Sequence, residues 1–149
     1  MQTFLPYADF EQTAKCLDVK RLGKQRVEAW QIYLSLTVVE YGWKNHPAVK
    51  MWKNYELALM FYGLAICHQW RQLSYKDTMF TKFEEVANFN FKNGLTQVVM
   101  PPWIGWKEFH DSHKSNLVRK MPDHYQKLWP DLDGARPYIW PSKDQRYLF

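Results

Sequence analysis

Cysteine is scarce in this sequence and long apolar runs are missing, and each shortage excludes a class of protein. Cys16 and Cys67 are too few for a disulfide framework, and both lie in helix-like contexts. No apolar run approaches the ~20 residues that span a bilayer. The opening MQTFLPYADFEQ contains acids and a proline without a basic region, so it does not resemble a signal peptide. We therefore expect a cytoplasmic protein with free thiols and no membrane segment.

Several enzyme motifs are also missing. The sequence has no P-loop, no dinucleotide-binding glycine fingerprint and no GxSxG nucleophile motif. His110 and His113 are three residues apart and could share a metal, but no cysteine cluster or further acid stands at ligand spacing. Nucleotide hydrolysis and dinucleotide redox chemistry lack support, and we expect no metal and no cofactor.

Positive charge and aromatic side chains are abundant instead. Twenty Lys and Arg residues against fifteen Asp and Glu residues give a net charge of +5, and aromatic residues make up 17% of the chain. The charge points to nucleic acid or another polyanion, although solubility alone would also explain it. Most of the aromatic residues must form a core, and a few could line a base pocket.

Helical periodicity of apolar residues dominates the chain and predicts an all-α fold. A helix is predicted to begin near Phe10 after an Asp9 cap, with Gly23 marking a kink or a close approach. Residues 47–73 are predicted to form the longest and most hydrophobic helix, which should lie at the centre of the fold. Shorter helices are predicted across 79–86, 106–120 and 122–129, with a loop across 88–100. Residues 130–149 are predicted to form an irregular, aromatic-rich tail, and we expect residues 1–149 to form one compact domain.

The segment LDVKRLGKQRVEAW, residues 17–30, gathers cations around one carboxylate. On a helix Arg21, Lys24 and Glu28 share one face, and Gln25 lies on nearly the same face. Glu28 could act as an acid while Arg21, Lys24 and Arg26 hold phosphates. The alternative is a solvated face whose surface ion pairs each contribute about 0–1 kcal/mol.

Two further polar segments could contact an anion. His46 precedes Pro47 at a helix start, where free backbone N–H groups could bind a phosphate, or where His46 simply caps the helix. Ser115, Asn116 and Arg119, followed by Lys120, could donate to phosphates from a polar helix face. The alternative for this second segment is an exposed face without a ligand.

The order of these motifs resembles that of the pyrimidine dimer DNA glycosylase family of endonuclease V type, and is most similar to a bacterial branch of it. The matching pieces are LDVKRLGKQRVEA, GWKNHPAVKMW, the segment ending WRQLSYKDT, and FHDSHKSNLVRKMPDHYQKLWP followed by PYIWP. Together they cover most of the chain from about residue 16 to 141. The resemblance implies an all-α domain that kinks double-stranded DNA and flips a base out of the stack.

The resemblance also implies a chemistry. The α-amine at the N-terminus would form a Schiff base with the deoxyribose, and a Glu on the first long helix would assist before β-elimination cuts the strand. In the family that acid directly follows an Arg, whereas Val27 separates Arg26 from Glu28 here. Residue 2 is Gln, a poor context for removal of the initiator, so we assign the amine to Met1 and the acid to Glu28.

The resulting prediction is a monomeric DNA glycosylase with AP-lyase activity. The alternatives are a non-catalytic nucleic-acid-binding domain on the same scaffold and a helical protein that binds a small molecule. The predicted DNA contacts are Arg21, Lys24, Gln25, Arg26, His46, Ser115, Asn116 and Arg119.

Overall fold

The computed structural model describes residues 1–141, which form seven α-helices and no strand. The all-α prediction is therefore confirmed, while residues 142–149 of the predicted tail lie outside the described residues. None of the described helices combines the length and the hydropathy needed to cross a bilayer. The helices are α1 (Phe10–Cys16), α2 (Val19–Thr37), α3 (Pro47–Lys50), α4 (Glu56–Gln72), α5 (Phe80–Lys92), α6 (Lys107–Lys120) and α7 (Pro122–Tyr125).

The first predicted helical run consists of two helices that meet at Asp18. The Asp9 cap is confirmed, because its Oδ1 accepts from the Gln12 N–H at 2.8 Å. Asp18 caps α2 in the same way by accepting from the Arg21 N–H. Gly23 does not break the helix. A Cβ at Gly23 would lie 3.0 Å from the Trp70 ring, so the glycine marks a close approach of two helices.

The prediction of one helix across residues 47–73 is wrong. The chain leaves α3 after Lys50, and Asn54 adopts a left-handed φ of +74° before α4 begins at Glu56. The longest helix is α2 with 19 residues, whereas α4 has 17. The central position of α4 is confirmed, since it packs against α1, α2 and α5.

Helix α5 extends further than the sequence predicts. It continues to Lys92, so the predicted loop across 88–100 begins only at residue 93. The Asn90 and Asn93 amides donate to carbonyls one turn earlier, at 2.8 and 2.7 Å, instead of opening the helix. Helix α6 begins within one residue of its predicted start, and α7 ends at Tyr125 rather than near residue 129.

Aromatic side chains fill the core, as their abundance predicts. Trp52, Trp103, Tyr62 and Tyr125 are among the largest fully buried side chains. The Trp52 and Trp103 rings meet edge to face with centroids 4.9 Å apart. The Trp52 Nε1–H donates to Thr3 Oγ1 at 2.9 Å, so the core ties down the first residues of the chain.

Candidate active site and nucleic-acid interface

The N-terminal segment, residues 1–7, is buried in the fold instead of fraying from it. Thr3 and Leu5 are fully buried, and the segment has no helix of its own to satisfy its backbone. Side chains from α2 and α6 supply the missing hydrogen bonds. Phe4 N–H donates to Gln25 Oε1 at 2.9 Å, and Leu5 N–H donates to His113 Nδ1 at 2.9 Å. These contacts fix Met1 and Gln2 against α2.

The two histidines of α6 form hydrogen bonds with the backbone of one residue of this segment, Leu5. His110 Nδ1 lies 2.8 Å from the Leu5 carbonyl oxygen, and Gly105 N–H donates to His110 Nε2. His113 is fully buried, and burial lowers its pKa to about 3. Residues 1–141 contain no group of three or more His, Cys, Asp or Glu side chains able to hold a metal. Through their hydrogen bonds to Leu5 the two histidines position the backbone of the N-terminal segment.

The neutral state of His113 predicts a loss of stability in mild acid. Because the folded pKa is about 3 and the usual value is 6.5, the unfolded chain binds the proton first. Stability should fall as the pH drops below 6.5, by about 1.4 kcal/mol per pH unit at most. Melting temperatures between pH 7 and 5 check this. His113→Asn keeps an acceptor for Leu5 N–H and should flatten the profile, whereas the control His68→Asn, at an exposed position, should not.

Glu28 lies where the N-terminal segment meets α2. Its Oε2 accepts from the Gln2 N–H at 3.2 Å and from Gln25 Nε2 at 3.1 Å, and its Oε1 lies 4.0 Å from Lys24 Nζ. The Tyr62 hydroxyl lies 2.7 Å from Gln25 Oε1 and 2.9 Å from the Phe4 carbonyl oxygen, and it can donate to one of them at a time. Glu28 is thus oriented by a buried amide, and its side chain is still 18% exposed.

Glu28 and Met1 line a pocket of about 390 Å³. It brings together six of the predicted site residues, namely Met1, Arg21, Lys24, Gln25, Glu28 and His46. The rest of its wall consists of Gln2, Phe4, Lys20, Lys120, Tyr138 and Trp140. The pocket is large enough for a nucleobase or a sugar–phosphate unit, and its wall combines cations, aromatic rings and one carboxylate.

The cations around the pocket are close enough to influence one another. Burial lowers the pKa of Lys120, and the positive charges of Arg21, Arg119 and Lys24 lower it further against the effect of Glu28. Arg21 is held by Asp18, whose Oδ1 lies 3.2 Å from its Nη1. Lys24 is 66% exposed. Cations crowded around a single acid favour an anionic ligand, because a bound phosphate would relieve their mutual repulsion.

His46 caps α3, and its ring also faces the pocket. The Ala48 and Val49 N–H groups are not free for a phosphate, because they donate to His46 Nδ1 and to the His46 carbonyl. His46 Nδ1 accepts from the Ala48 N–H at 3.0 Å, which leaves Nε2 to carry the ring proton. Burial lowers the pKa of His46, and the nearby N-terminal amine lowers it further, while Glu28 opposes both. A neutral ring with a free Nε2–H can donate to a ligand in the pocket.

Arg26 does not line the pocket, and its contacts favour a structural role over the predicted phosphate contact. Its Nη1 lies 2.6 Å from Asp77 Oδ1, and its guanidinium stacks on Trp70 at 4.5 Å from the ring centroid. The pair is largely withdrawn from solvent, with Arg26 16% exposed and Asp77 fully buried. Arg26 therefore joins α2 to the turn before α5.

Ser115 and Asn116, two further predicted DNA contacts, are fully buried and do not line the pocket. Ser115 Oγ donates to the Asp133 carbonyl at 2.7 Å, and Asn116 Nδ2 donates to the Ser112 and Arg136 carbonyls. They fasten the C-terminal segment onto α6. Arg119 remains exposed while its Nη1 donates to the Gly134 carbonyl at 3.0 Å.

Sequence reasoning left Gln2, Tyr138 and Trp140 out of the site. No local pattern identifies them, since Gln2 belongs to a buried segment without periodicity and the two aromatics come from the irregular tail. The PYIWP motif, which contains both aromatics, was the sequence signal that could have identified Tyr138 and Trp140 as site residues. Lys20 and Lys120 belong to the two basic segments in which the sequence predicts phosphate contacts, and both line the pocket.

The structure is that of a helical protein with a cation-lined pocket that contains one carboxylate. A model of the pyrimidine dimer DNA glycosylase family matches residues 1–83, which is more than half of the chain and contains Met1, the cationic face of α2, Glu28 and His46. The chain belongs to this family of DNA-repair glycosylases. Neither a curated protein nor a solved structure matches it.

Proposed function

We propose that this protein is a DNA glycosylase with AP-lyase activity that acts on a damaged or modified base flipped out of double-stranded DNA. One observation carries the proposal. The backbone of residues 1 and 2 lies against Glu28, with Gln2 N 3.2 Å from Glu28 Oε2, inside a pocket rimmed by cations. A nucleophile, an acid and phosphate-binding groups are thereby gathered at one place, which is what a glycosylase and lyase requires.

The chemistry assigns separate roles to Met1 and Glu28. The neutral α-amine of Met1 attacks C1′ and displaces the base, and the C1′–O4′ bond then opens with protonation of O4′ to give an iminium ion, the Schiff base. At an abasic site the amine adds to the C1′ aldehyde instead, and loss of water gives the same ion. A proton then leaves C2′, and the C3′–O bond breaks with departure of the 3′ phosphate. Glu28 carries protons between these steps and stabilises the cationic sugar.

The cations around the pocket account for binding. Lys20, Arg21, Lys24 and Lys120 line the pocket, and Arg119 lies close enough to affect the pKa of Lys120. Phosphate contacts of this kind position the duplex and carry no base specificity. His46 would donate from its Nε2–H to the same sugar–phosphate unit. Gln25 acts indirectly, because it is buried and orients Glu28.

Covalent trapping tests the chemistry. Borohydride should reduce the Schiff base and leave the protein attached to an abasic duplex, and peptide mapping should locate the adduct on Met1. An N-terminal extension should abolish trapping without changing duplex affinity. An adduct on Lys24 or Lys120 would overturn the assignment of the amine. Binding without trapping on abasic, dimer-containing and modified duplexes would instead favour the non-catalytic DNA-binding alternative.

We predict that binding to duplex DNA weakens steeply with salt. If four or five of the pocket cations meet phosphates, the plot of log K against log salt should slope by about −3.5 to −4.5. Titration by fluorescence anisotropy between low and physiological salt measures this slope. Lys24→Ala should make the slope shallower by about 1. Lys92→Ala, at an exposed position on α5, should leave the slope unchanged. A slope near zero would remove nucleic acid as the ligand.

A further inference from the structure

Trp43 is a large aromatic side chain that the fold holds out in solvent. It is 62% exposed and has a left-handed φ of +69°. Within residues 1–141 the other non-glycine residues with positive φ are Asn54 and Ser74, both small and polar. A bulky residue in this region is rare, and such strain persists where the surroundings impose it and is concentrated at functional sites.

Two sets of contacts from the residues that follow Trp43 anchor the loop that carries it. Lys44 Nζ donates to the carbonyls of Ser35 and Val38, at 2.9 and 2.7 Å, and so satisfies acceptors at the C-terminal end of α2. The His46 N–H donates to the Trp43 carbonyl at 2.9 Å and closes a turn. The indole is therefore presented by a fixed loop, with its backbone conformation imposed by these contacts.

Trp43 continues the wall of the pocket outward. Its ring meets His46 edge to face with centroids 6.0 Å apart, and His46 meets Trp140 in the same way at 6.1 Å. Both His46 and Trp140 line the pocket, so Trp43 stands beside its aromatic wall. The cations Lys20, Arg21 and Lys24 lie in the same pocket, so a DNA strand bound by them would pass close to the indole.

We propose that Trp43 stacks on an unstacked DNA base next to the site of damage. This inference rests on the proposed function, because the cationic pocket must first bind the sugar–phosphate chain. A base inside an intact duplex has no free face, whereas a base beside an abasic or flipped position does, and aromatic side chains stack on such faces with little regard to sequence. Trp43 would thereby favour damaged over intact duplex.

The test compares Trp43 variants on two duplexes. One duplex carries 2-aminopurine next to a tetrahydrofuran abasic analogue, and the other is intact. Trp43→Ala should weaken binding to the first by about 5- to 100-fold and leave the second nearly unchanged. Trp43→Phe should keep most of the affinity. Trp43→Asn tolerates a left-handed φ, so it should keep the melting temperature while losing affinity as Trp43→Ala does.

A matched control and a spectroscopic signal separate stacking from folding. Phe89 is 67% exposed on α5 and does not line the pocket, so Phe89→Ala should bind both duplexes as the unmodified protein does. Stacking should also change 2-aminopurine fluorescence with the unmodified protein and not with Trp43→Asn. Equal affinity and equal fluorescence for all variants would overturn the role of Trp43 while leaving the proposed function standing. Failure of the unmodified protein to bind either duplex would contradict both the role of Trp43 and the proposed function.

Discussion

Replacement of Glu28 by Gln is expected to reduce trapping and cleavage of abasic DNA by at least about 100-fold, because a positioned acid–base group contributes roughly 10²–10⁴-fold. The amide keeps the shape of the side chain, and its oxygen can still accept from the Gln2 N–H. What disappears is the charge that stabilises the sugar cation and accepts the proton. Duplex affinity should stay the same or rise, since one negative charge leaves a cationic pocket.

Single-turnover cleavage and affinity at one fixed salt concentration measure the two effects separately. Glu85→Gln removes the same charge from an exposed position on α5 and serves as the control, with no effect expected on either quantity. Circular dichroism melting confirms that the Glu28 variant folds. Cleavage by Glu28→Gln at the full rate would show that Val27 has displaced the acid of this family from its role, and that another group carries the proton.

Local pattern was sufficient to predict the cationic helix face. Arg21, Lys24 and Glu28 meet at one pocket because residues three and four apart on a helix are neighbours. The all-α class and the position of α6 also follow from periodicity, which is a local property of the chain.

Contacts between residues distant in sequence could not be predicted in this way. Gln25 accepts from Phe4, 21 residues away, and Leu5 donates to His113, 108 residues away. No spacing rule connects a buried N-terminal segment to the helices that hold it. The burial of Ser115 could not be predicted for the same reason, since the C-terminal segment that covers it is irregular.

Arg26 shows that the helix carrying a charged residue does not determine the partner of that charge. It follows Lys24 and Gln25 in a basic run, which predicts a shared ligand, but its side chain points to the other side of α2. Its carboxylate partner, Asp77, is 51 residues further along the chain. The charge run was real, but its members face two different environments.

Arg26→Ala is therefore expected to destabilise the fold and to leave DNA affinity largely unchanged. Asp77 would stay fully buried with Arg71 Nε at 3.5 Å and the Met79 and Phe80 N–H groups as its remaining partners. Loss of one member of a buried pair costs about 3 kcal/mol, equivalent to roughly 6–12 °C in melting temperature for a chain of this size.

Acid should weaken the same interaction, which gives a second measurement. Burial raises the pKa of Asp77, but hydrogen bonds from Arg26, Phe80 and Met79 outweigh it, so the folded pKa is lowered. The stabilisation is present above the ordinary value of 3.8 and is lost as the pH falls through the lower folded value. Arg26→Ala should therefore lose less stability than the unmodified protein over that acidic range.

Lys24→Ala is the matched control on the same helix, since Lys24 is exposed and lines the pocket. It should leave the melting temperature nearly unchanged and weaken duplex binding, the reverse of Arg26→Ala. A double-mutant cycle with Asp77→Ala isolates the coupling between Arg26 and Asp77. An Arg26→Ala protein that melts normally and binds duplex DNA several-fold more weakly would return Arg26 to the phosphate contacts, because a merely structural pair cannot produce that result.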